Sequence, residues 1–510
     1  MPRPQPTATL IRNVRVLSFD DDDAELERAD ILIEGASIAA VGSNLPPPPG
    51  VTTRVISADG HLAMPGLVNG HYHSTSALYR GAFEGAPLEI IMLYQDPVLE
   101  GRLAAPRFQY LRALLGAVEM LKLGVTAVRD DAYLMPNPTP EAMDAVMQAY
   151  ADSGMRAEVT LDVGNVPEME RHPYLRELLP EDVRREIERD PIPASGDLLA
   201  IYKYMIGRWH GGCDGRLTVG VSCSAPMRAT TEHLQALDEL SRRHGLSFNA
   251  HILETRVQRA LGQVRYGKSL IRYVHDLGLL SERMAVIHAV WTDEADIRLM
   301  ADSGCVVAHN PVSNLKLGSG VMPFRRLRES GVPICLGSDE FCADDSANMW
   351  SVAKTAALIQ KINEPDYRRW PPAREILQAL IRGGARALRR EGRGGFIAPG
   401  ADADLILVDL DTLAFTPLND LRRQLLYVEN GSSVALTMVA GRIVAERGRI
   451  LTVNEAELKA EVRELAGAHG TALANLAASS ARREPYYRAM YERAAAQDFG
   501  FKRAAGPIEP

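Results

Sequence analysis

The 510-residue chain predicts an α/β fold: a (β/α)8, TIM-like barrel with a small β-sandwich domain built from both termini. Three observations predict it. Apolar, β-branched runs alternate with helical stretches through the middle of the chain, and eight such runs lie between Pro65 and Leu388. Polar, chemistry-bearing residues gather at the ends of those runs, where barrel enzymes carry their chemistry. Strand-rich texture with turn punctuation recurs near both ends of the sequence, bracketing the long middle.

In chain order, TLIRNVRVLSF, DILIEGASIAAVG and VTTRVISADGHLA are short strand-like runs separated by acidic or Pro-rich breaks. The break LPPPPG (45–50) suits neither a helix nor a central strand, since proline has no N–H to give. The texture returns in ADADLILVDLD and SSVALTMVAGRIVAERGRILTV. Residues 1–64 and 389–453 therefore read as one composite β domain, and 65–388 as the barrel. The barrel runs end at His71, at Arg129, near Asp162, and at Ser222, His251, His288, His309 and Asp339. Helical stretches such as YLRALLGAVEMLKLG and EHLQALDELSRRHG separate them. Periodicity alone does not distinguish a barrel from an open sheet; the eight-fold count and the polar strand ends favour the barrel. The connection from Gly164 to Trp209 is long for a barrel loop. It reads as a lid, as an oligomer contact or, equally, as surface decoration. The tail, 454–510, reads as helical. Asn454 and Glu457 have capping-box spacing, and PYYRAMYERAAAQ is amphipathic, so the tail is expected to pack on the body or on a neighbouring subunit.

Composition narrows the functional classes. A chain 46% hydrophobic and 24% charged is ordinary for a soluble enzyme. A net charge of -8 and a pI near 5.9 argue against nucleic-acid or anionic-membrane partners, which call for a basic surface. The cysteines (Cys213, Cys223, Cys305, Cys335, Cys342) are odd in number and form no CxxC pair, which fits free thiols in a reducing cytoplasm. MPRPQPTATLIRN lacks the apolar core of a secretory signal, and no apolar run reaches membrane-spanning length. The expectation is a cytoplasmic protein that acts on a small molecule and, from its apolar content and helical tail, forms a homo-oligomer.

The chemistry lies in the strand ends. His71 and His73 in PGLVNGHYHS are two apart, so on an extended strand end both imidazoles face one ion. His251 closes LSFNAHI and Asp339 closes VPICLGSD, where a carboxylate is poorly solvated unless paired or metal-bound. Three neutral imidazoles, one carboxylate and an open position describe a catalytic metal site rather than a structural one. Zinc is the first expectation for the one divalent ion; iron or manganese fits the same ligands. Such a cation lowers the pKa of water from 15.7 to roughly 7. Glu254, three residues after His251, can shuttle a proton to the substrate, and Asp339 can accept one from the attacking water. His288, ending MAVIHAV, is placed to polarise or orient that water. The zinc signature of nucleic-acid deaminases, H-x-E with P-C-x-x-C, is absent.

PGLVNGHYHS, LGVTAVRDD, HILET, VIHAVW, VAHNPVSNLKLGSG and GVPICLGSDE together resemble the amidohydrolase superfamily, in its mononuclear cytosine-deaminase-like and triazine-hydrolase-like branch. The resemblance spans nearly the whole barrel, and the terminal strands resemble that family's split β-sandwich. It implies His71, His73, His251 and Asp339 as metal ligands, Glu254 as proton shuttle and His288 as partner of the metal-bound water. It brings the HNPVSN stretch near the substrate, making His309 and Asn314 pocket candidates, with loop capping as the alternative. Binuclear relatives carry a bridging lysine at the end of strand four; LTVGVSCSAP has none, which implies one metal. Two departures stand out. EFCADDSANMW follows the Asp ligand, so Glu340, Asp344 and Asp345 either favour an amine-rich substrate or hold the loop. RGAFEGAPLEIIMLYQD lacks the Trp-Leu pair common in nucleoside-type deaminases. The implied activity is hydrolytic deamination of a purine, pyrimidine, pterin or s-triazine. The alternative is cleavage of another C–N or C–Cl bond at the same site.

Overall fold

The computed structural model describes residues 8–134 and 138–503. The MPRPQPT start of the first β segment and residues 504–510 of the expected tail lie outside the described residues. All eight barrel runs form strands: Leu67–Tyr72, Val125–Ala132, Arg156–Leu161, Leu217–Val219 continued by Val221–Ser222, Phe248–Ile252, Met284–His288, Val306–His309 and Ile334–Leu336. They pair in parallel and in chain order, as two arcs. The arcs meet at Gly220, whose N–H donates to Val159 O at 3.1 Å while Val221 N–H turns to Ser247 O at 2.9 Å. A Cβ at Gly220 would sit 2.6 Å from Ser247 Oγ, so the crossing requires glycine. At the other ends of the arcs, Asp339 N–H donates to His71 O at 3.0 Å and Tyr72 bridges Asp339 in parallel register. Val125–Ala132 and Arg156–Leu161 are buried along their whole length, as strands covered on both faces must be. Charge inside is paired: Arg129 Nε meets Glu158 Oε1 at 2.8 Å, and Ser247 Oγ donates to the same oxygen at 2.6 Å.

Strands from both ends of the chain share one nine-stranded sheet. Its seam is the antiparallel pair His61–Pro65 with Leu405–Asp409. Alternation divides these residues between two cores. Leu405 and Leu407 join Ile11, Val14 and Ile31 in a small core of their own, whereas Ile406 and Val408 face the main core.

The long connection and the C-terminal tail pack on one another. Leu175, Val183 and Ile187 of the short helices Leu175–Leu178 and Glu181–Ile187 share a core with Tyr487, Met490 and Ala494 of the helix Glu484–Ala495. Tyr487 Oη donates to Glu168 at 2.9 Å, and Arg483 pairs with Glu186 at 2.8 Å. The second half of the connection, Ser195–Trp209, packs Leu198, Tyr202 and Met205 into the main core. Asn454 caps the helix Glu455–Ser480, its side chain accepting from Ala456 and Glu457 N–H. Among the described residues no helix is long and apolar enough to cross a membrane.

Candidate metal centre

The strand ends bring His71, His73, His251 and Asp339 together. His251 Nε2 lies 3.2 Å from His71 Nε2 and 3.3 Å from His73 Nε2. Asp339 Oδ1 lies 3.3 Å from His71 Nε2 and 3.5 Å from His73 Nε2. His71, His73 and Asp339 are buried, and His251 is half-buried at the cavity. The outward nitrogens fix the tautomers. His73 Nδ1 lies 2.6 Å from Asp131 O and His251 Nδ1 2.7 Å from Ser224 O. A carbonyl only accepts, so each Nδ1 carries the proton and each Nε2 presents a bare lone pair. Two lone pairs facing one another at 3.3 Å repel unless a cation lies between them. The spacing suits one: for metal–ligand bonds of about 2.0–2.1 Å, a tetrahedron has edges of roughly 3.3–3.4 Å. The donor set therefore fits a divalent ion, and the backbone carbonyls behind His73 and His251 supply the supporting hydrogen bonds such ligands need.

Electrostatics agrees. Burial lowers His71 to about 3, keeping it neutral. His73 is pushed up to about 9 because Glu340, Asp339, Asp162 and Asp131 outweigh the cost of its burial. That field attracts a proton or a metal ion to the same nitrogen.

Glu254 and His288 complete the cluster. His288 Nε2 lies 3.5 Å from Glu254 Oε2 and 3.7 Å from Asp339 Oδ2. Glu254 leaves the strand through Leu253, in the left-handed region at φ 55°, and its N–H donates to Gln258 Oε1 at 3.0 Å. His288 and Asp339 are themselves left-handed, at φ 75° and 71°. That conformation is costly for residues other than glycine, and such strain gathers where side chains must be aimed. Burial, then the charges of Asp339 and Glu89, raise Glu254 well above the usual carboxylate range. Burial holds His288 well below its ordinary value. Asp339 Oδ2 accepts from Ser313 Oγ at 2.6 Å.

The cavity beside this cluster is lined by His73, His251, Glu254, His288 and Asp339 together with Leu88, Met92 and Leu317. His309 and Asn314 do not line it. His309 is buried beside Phe324, and its carbonyl accepts from Gly337 N–H. Asn314 lies behind His288 instead, its amide nitrogen 3.0 Å from Nδ1, with the Asn310 amide nitrogen at 3.2 Å. Both donate, so the His288 proton sits on Nε2, facing Glu254 and Asp339. Of the three acids after Asp339, only Glu340 reaches the cavity. Asp345 holds the loop, pairing with Lys316 at 2.5 Å and accepting from Gly81 N–H, and Asp344 accepts from Ser346 Oγ. Sequence reasoning missed Asp162, Arg228 and Asn310. Asp162 was legible as a strand end and Asn310 as part of the HNPVSN stretch; nothing in the sequence distinguishes Arg228.

Comparison with known proteins places this architecture. The chain is 29% identical over 462 residues to a 5'-deoxyadenosine deaminase of Methanosarcina mazei, covering 90% of this chain and 97% of that one. It is 32% identical over 437 residues to a 5-methylthioadenosine/S-adenosylhomocysteine deaminase of Thermococcus kodakarensis, covering 85% and 93%. Among solved structures, a zinc-bound adenosine deaminase from Xanthomonas campestris matches with a TM-score of 0.78 at 25% identity, covering 91% and 98%. The zinc complex of atrazine chlorohydrolase from Arthrobacter aurescens matches with a TM-score of 0.79 at 24% identity, covering 90% and 100%, a likeness of fold. The amidohydrolase family model matches residues 62–444, from the last strand before the barrel to the strands beyond it. With its strand-end histidines and aspartate inside that match, the chain belongs to the amidohydrolase family.

Proposed function

We propose that the protein is a mononuclear zinc aminohydrolase that releases ammonia from an amino-substituted N-heterocycle, with adenine-type nucleosides as the leading substrate class. The observation that carries the reading is a buried Glu254, 3.5 Å from His288 Nε2, beside a donor set suited to one cation. An amine leaves as neutral ammonia only if protons reach it, whereas chloride needs none. The names of the relatives, deaminases of deoxyadenosine and of thioether adenosines, support the ring class. A single ion is supported by strand four, which ends at Ser222 and is followed by Cys223 and Ser224, with no lysine there. The two strand arcs read as one closed barrel, supported by their contacts at Gly220 and at Asp339. The terminal sheet with its separate core reads as the composite β-sandwich domain.

His71, His73, His251 and Asp339 would hold the ion, which when bound supplies an acidified water and a Lewis acid. Asp339 takes one proton as the water oxygen bonds to the amine-bearing carbon. Glu254 gives its proton to the adjacent ring nitrogen, so charge does not build on the ring. His288 donates its Nε2–H to the oxygen of the tetrahedral carbon. The proton held on Asp339 then passes to the amino group, the C–N bond breaks, and ammonia departs with the bonding pair. The carbon-bound oxygen closes to a carbonyl and returns its remaining proton to Glu254. One water is consumed and one ammonia formed.

The test is ammonia release from adenosine, 5'-deoxyadenosine, cytosine, a pterin and melamine, using chelator-stripped protein with and without zinc. Release from one ring class that requires the metal is expected. A fully metallated protein that releases none, or that frees chloride from a chlorotriazine instead, overturns the reading.

A further inference from the structure

We infer that Asp162 and Glu340 accept a cationic amine of the substrate, so that the preferred substrate is an amino-heterocycle whose substituent carries a protonated nitrogen. The inference rests on the aminohydrolase reading for the ring and adds the charge of the arm. Asp162 directly follows the strand Arg156–Leu161, and Glu340 directly follows the candidate ligand Asp339. Both line the cavity that Glu254 and His288 share. The backbone fixes Asp162 there, its N–H donating to Ala132 O at 2.9 Å.

Neither carboxylate is fully used by the fold. Asp162 is 4% exposed, yet Oδ1 has no partner, and His73 Nδ1 stands 3.7 Å from Oδ2. That nitrogen already gives its proton to the Asp131 carbonyl. Glu340 Oε2 accepts from Gln95 Nε2 at 2.5 Å and from Cys342 Sγ at 2.7 Å, while Oε1 has no hydrogen-bond partner among the described residues. Carboxylates buried for support look different. Asp130 accepts from Ser74 N–H and Tyr150 Oη, Glu158 pairs with Arg129, and Asp404 pairs with Arg156. Arg228 also lines the cavity but turns to Ser224 Oγ and the Met92 thioether rather than to either acid.

A second metal ion is a poor match for this pair. His73 and His251 offer Nε2 to the one ion proposed above and their Nδ1 protons to carbonyls, which leaves no nitrogen to hold another. The one ion does not settle the acids either. Asp339 takes up one of its two charges and the water it acidifies takes up the other, so Asp162 and Glu340 remain in excess. A buried carboxylate without a partner costs free energy, which an ammonium recovers through charge-assisted hydrogen bonds. Tyr133 lines the same cavity with its hydroxyl committed to Asp96 at 2.8 Å, and its ring is suited to a cation.

The test uses two probes of one size: 5'-amino-5'-deoxyadenosine, an ammonium at neutral pH, and adenosine, which has a hydroxyl in the same place. Binding is read by calorimetry on the zinc-loaded full chain in a Glu254→Gln background, so it does not depend on turnover. The background protein should prefer the ammonium probe by about tenfold or more, the low end for a close charge pair. Adding Asp162→Asn should remove most of that preference and leave adenosine binding unchanged, and Asp162→Glu should restore part of it. Glu340→Gln should lower the preference by itself and carries the test should Asp162→Asn fail to fold. Metal analysis accompanies each variant. No preference before either acid is changed, an undiminished preference in the variants, equal weakening of both probes, or a second zinc ion lost with Asp162 overturns the inference. Ammonia release by the unsubstituted protein tests the activity separately: its failure would count against deamination and leave the binding preference to decide the inference.

Discussion

The His288 tautomer can be tested by changing a residue that never meets the substrate. His288 is 1% exposed, and burial holds it neutral, so it carries one proton on one of two nitrogens. The Asn314 and Asn310 amides, at 3.0 and 3.2 Å from Nδ1, place that proton on Nε2. In Asn314→Ala the Asn310 amide remains, and one neutral hydrogen bond of about 1 kcal/mol is lost, roughly a fivefold effect on kcat/KM. In Asn314→Asp a carboxylate faces Nδ1 and draws the proton there, leaving Nε2 bare toward the reacting oxygen. Removing an oxyanion donor costs roughly 10²- to 10³-fold. The expected order is therefore wild type, then Asn314→Ala, then Asn314→Asp, with bound metal unchanged. Steady-state ammonia release gives the rates, metal analysis the loading, and circular dichroism the folding of each variant. Should the buried charge unfold Asn314→Asp, Asn310→Asp poses the same question from the second amide. An Asp variant as active as wild type would mean that the side-chain carbonyl faces the ring, with the proton on Nδ1, and would refute the assignment.

Glu254→Gln should keep its metal and lose about 10²- to 10⁴-fold in kcat, the usual contribution of a positioned acid, while His71→Ala should lose metal and turnover together. Metal analysis alongside rates separates the two, and full activity in either variant contradicts the roles given. Asp344 supplies a pH test of stability. Burial pushes it up to about 8, and one carboxylate oxygen has no partner. The folded chain then keeps a proton that the unfolded chain releases above about 4, so stability falls as pH rises from about 4 to 8. A neutral amide is free of that penalty: at about 1.4 kcal/mol per pH unit, Asp344→Asn should gain on wild type by up to about 5 kcal/mol at pH 8 and little at pH 4. Urea melts at the two pH values measure it; a gain independent of pH would show that Asp344 does not hold the proton.

The candidate ligands were legible because each closes an apolar run, and a parallel strand buried on both faces leaves only its end for polar chemistry. His71, His73, His251, Glu254, His288 and Asp339 meet within one cluster for that reason. The HNPVSN stretch was harder. Its sequence shows polar residues after a strand but not which way they face, and Asn314 turned toward the back of His288 rather than the cavity. Arg228 carries no local signal at all, because its place on the cavity wall is defined by what surrounds it in space. The acids 340–345 divide in the same way: Lys316, which pairs with Asp345, comes from a different barrel loop.

The contact between the long connection and the tail bears on how this site acquires a specificity of its own. Leu88 and Met92, which wall the cavity, belong to a segment whose other side, Ile90 and Leu93, packs into the core shared by Tyr487, Met490, Leu175 and Val183. Ser480 Oγ donates to Leu93 O, and Tyr94 Oη to Glu484. The wall facing the cavity is thus held from behind in part by elements nearly four hundred residues away in sequence, together with barrel-loop contacts such as Thr255 Oγ1 donating to Glu89 Oε1 at 2.5 Å. The candidate ligands sit at strand ends, whose positions the parallel pairing fixes; the wall sits on loops braced by other loops. Substitutions in that bracing core can therefore reshape the cavity while leaving the ligand cluster in register. This arrangement explains physically how a chain can keep the histidine and aspartate cluster while lacking the Trp-Leu pair between Arg80 and Asp96.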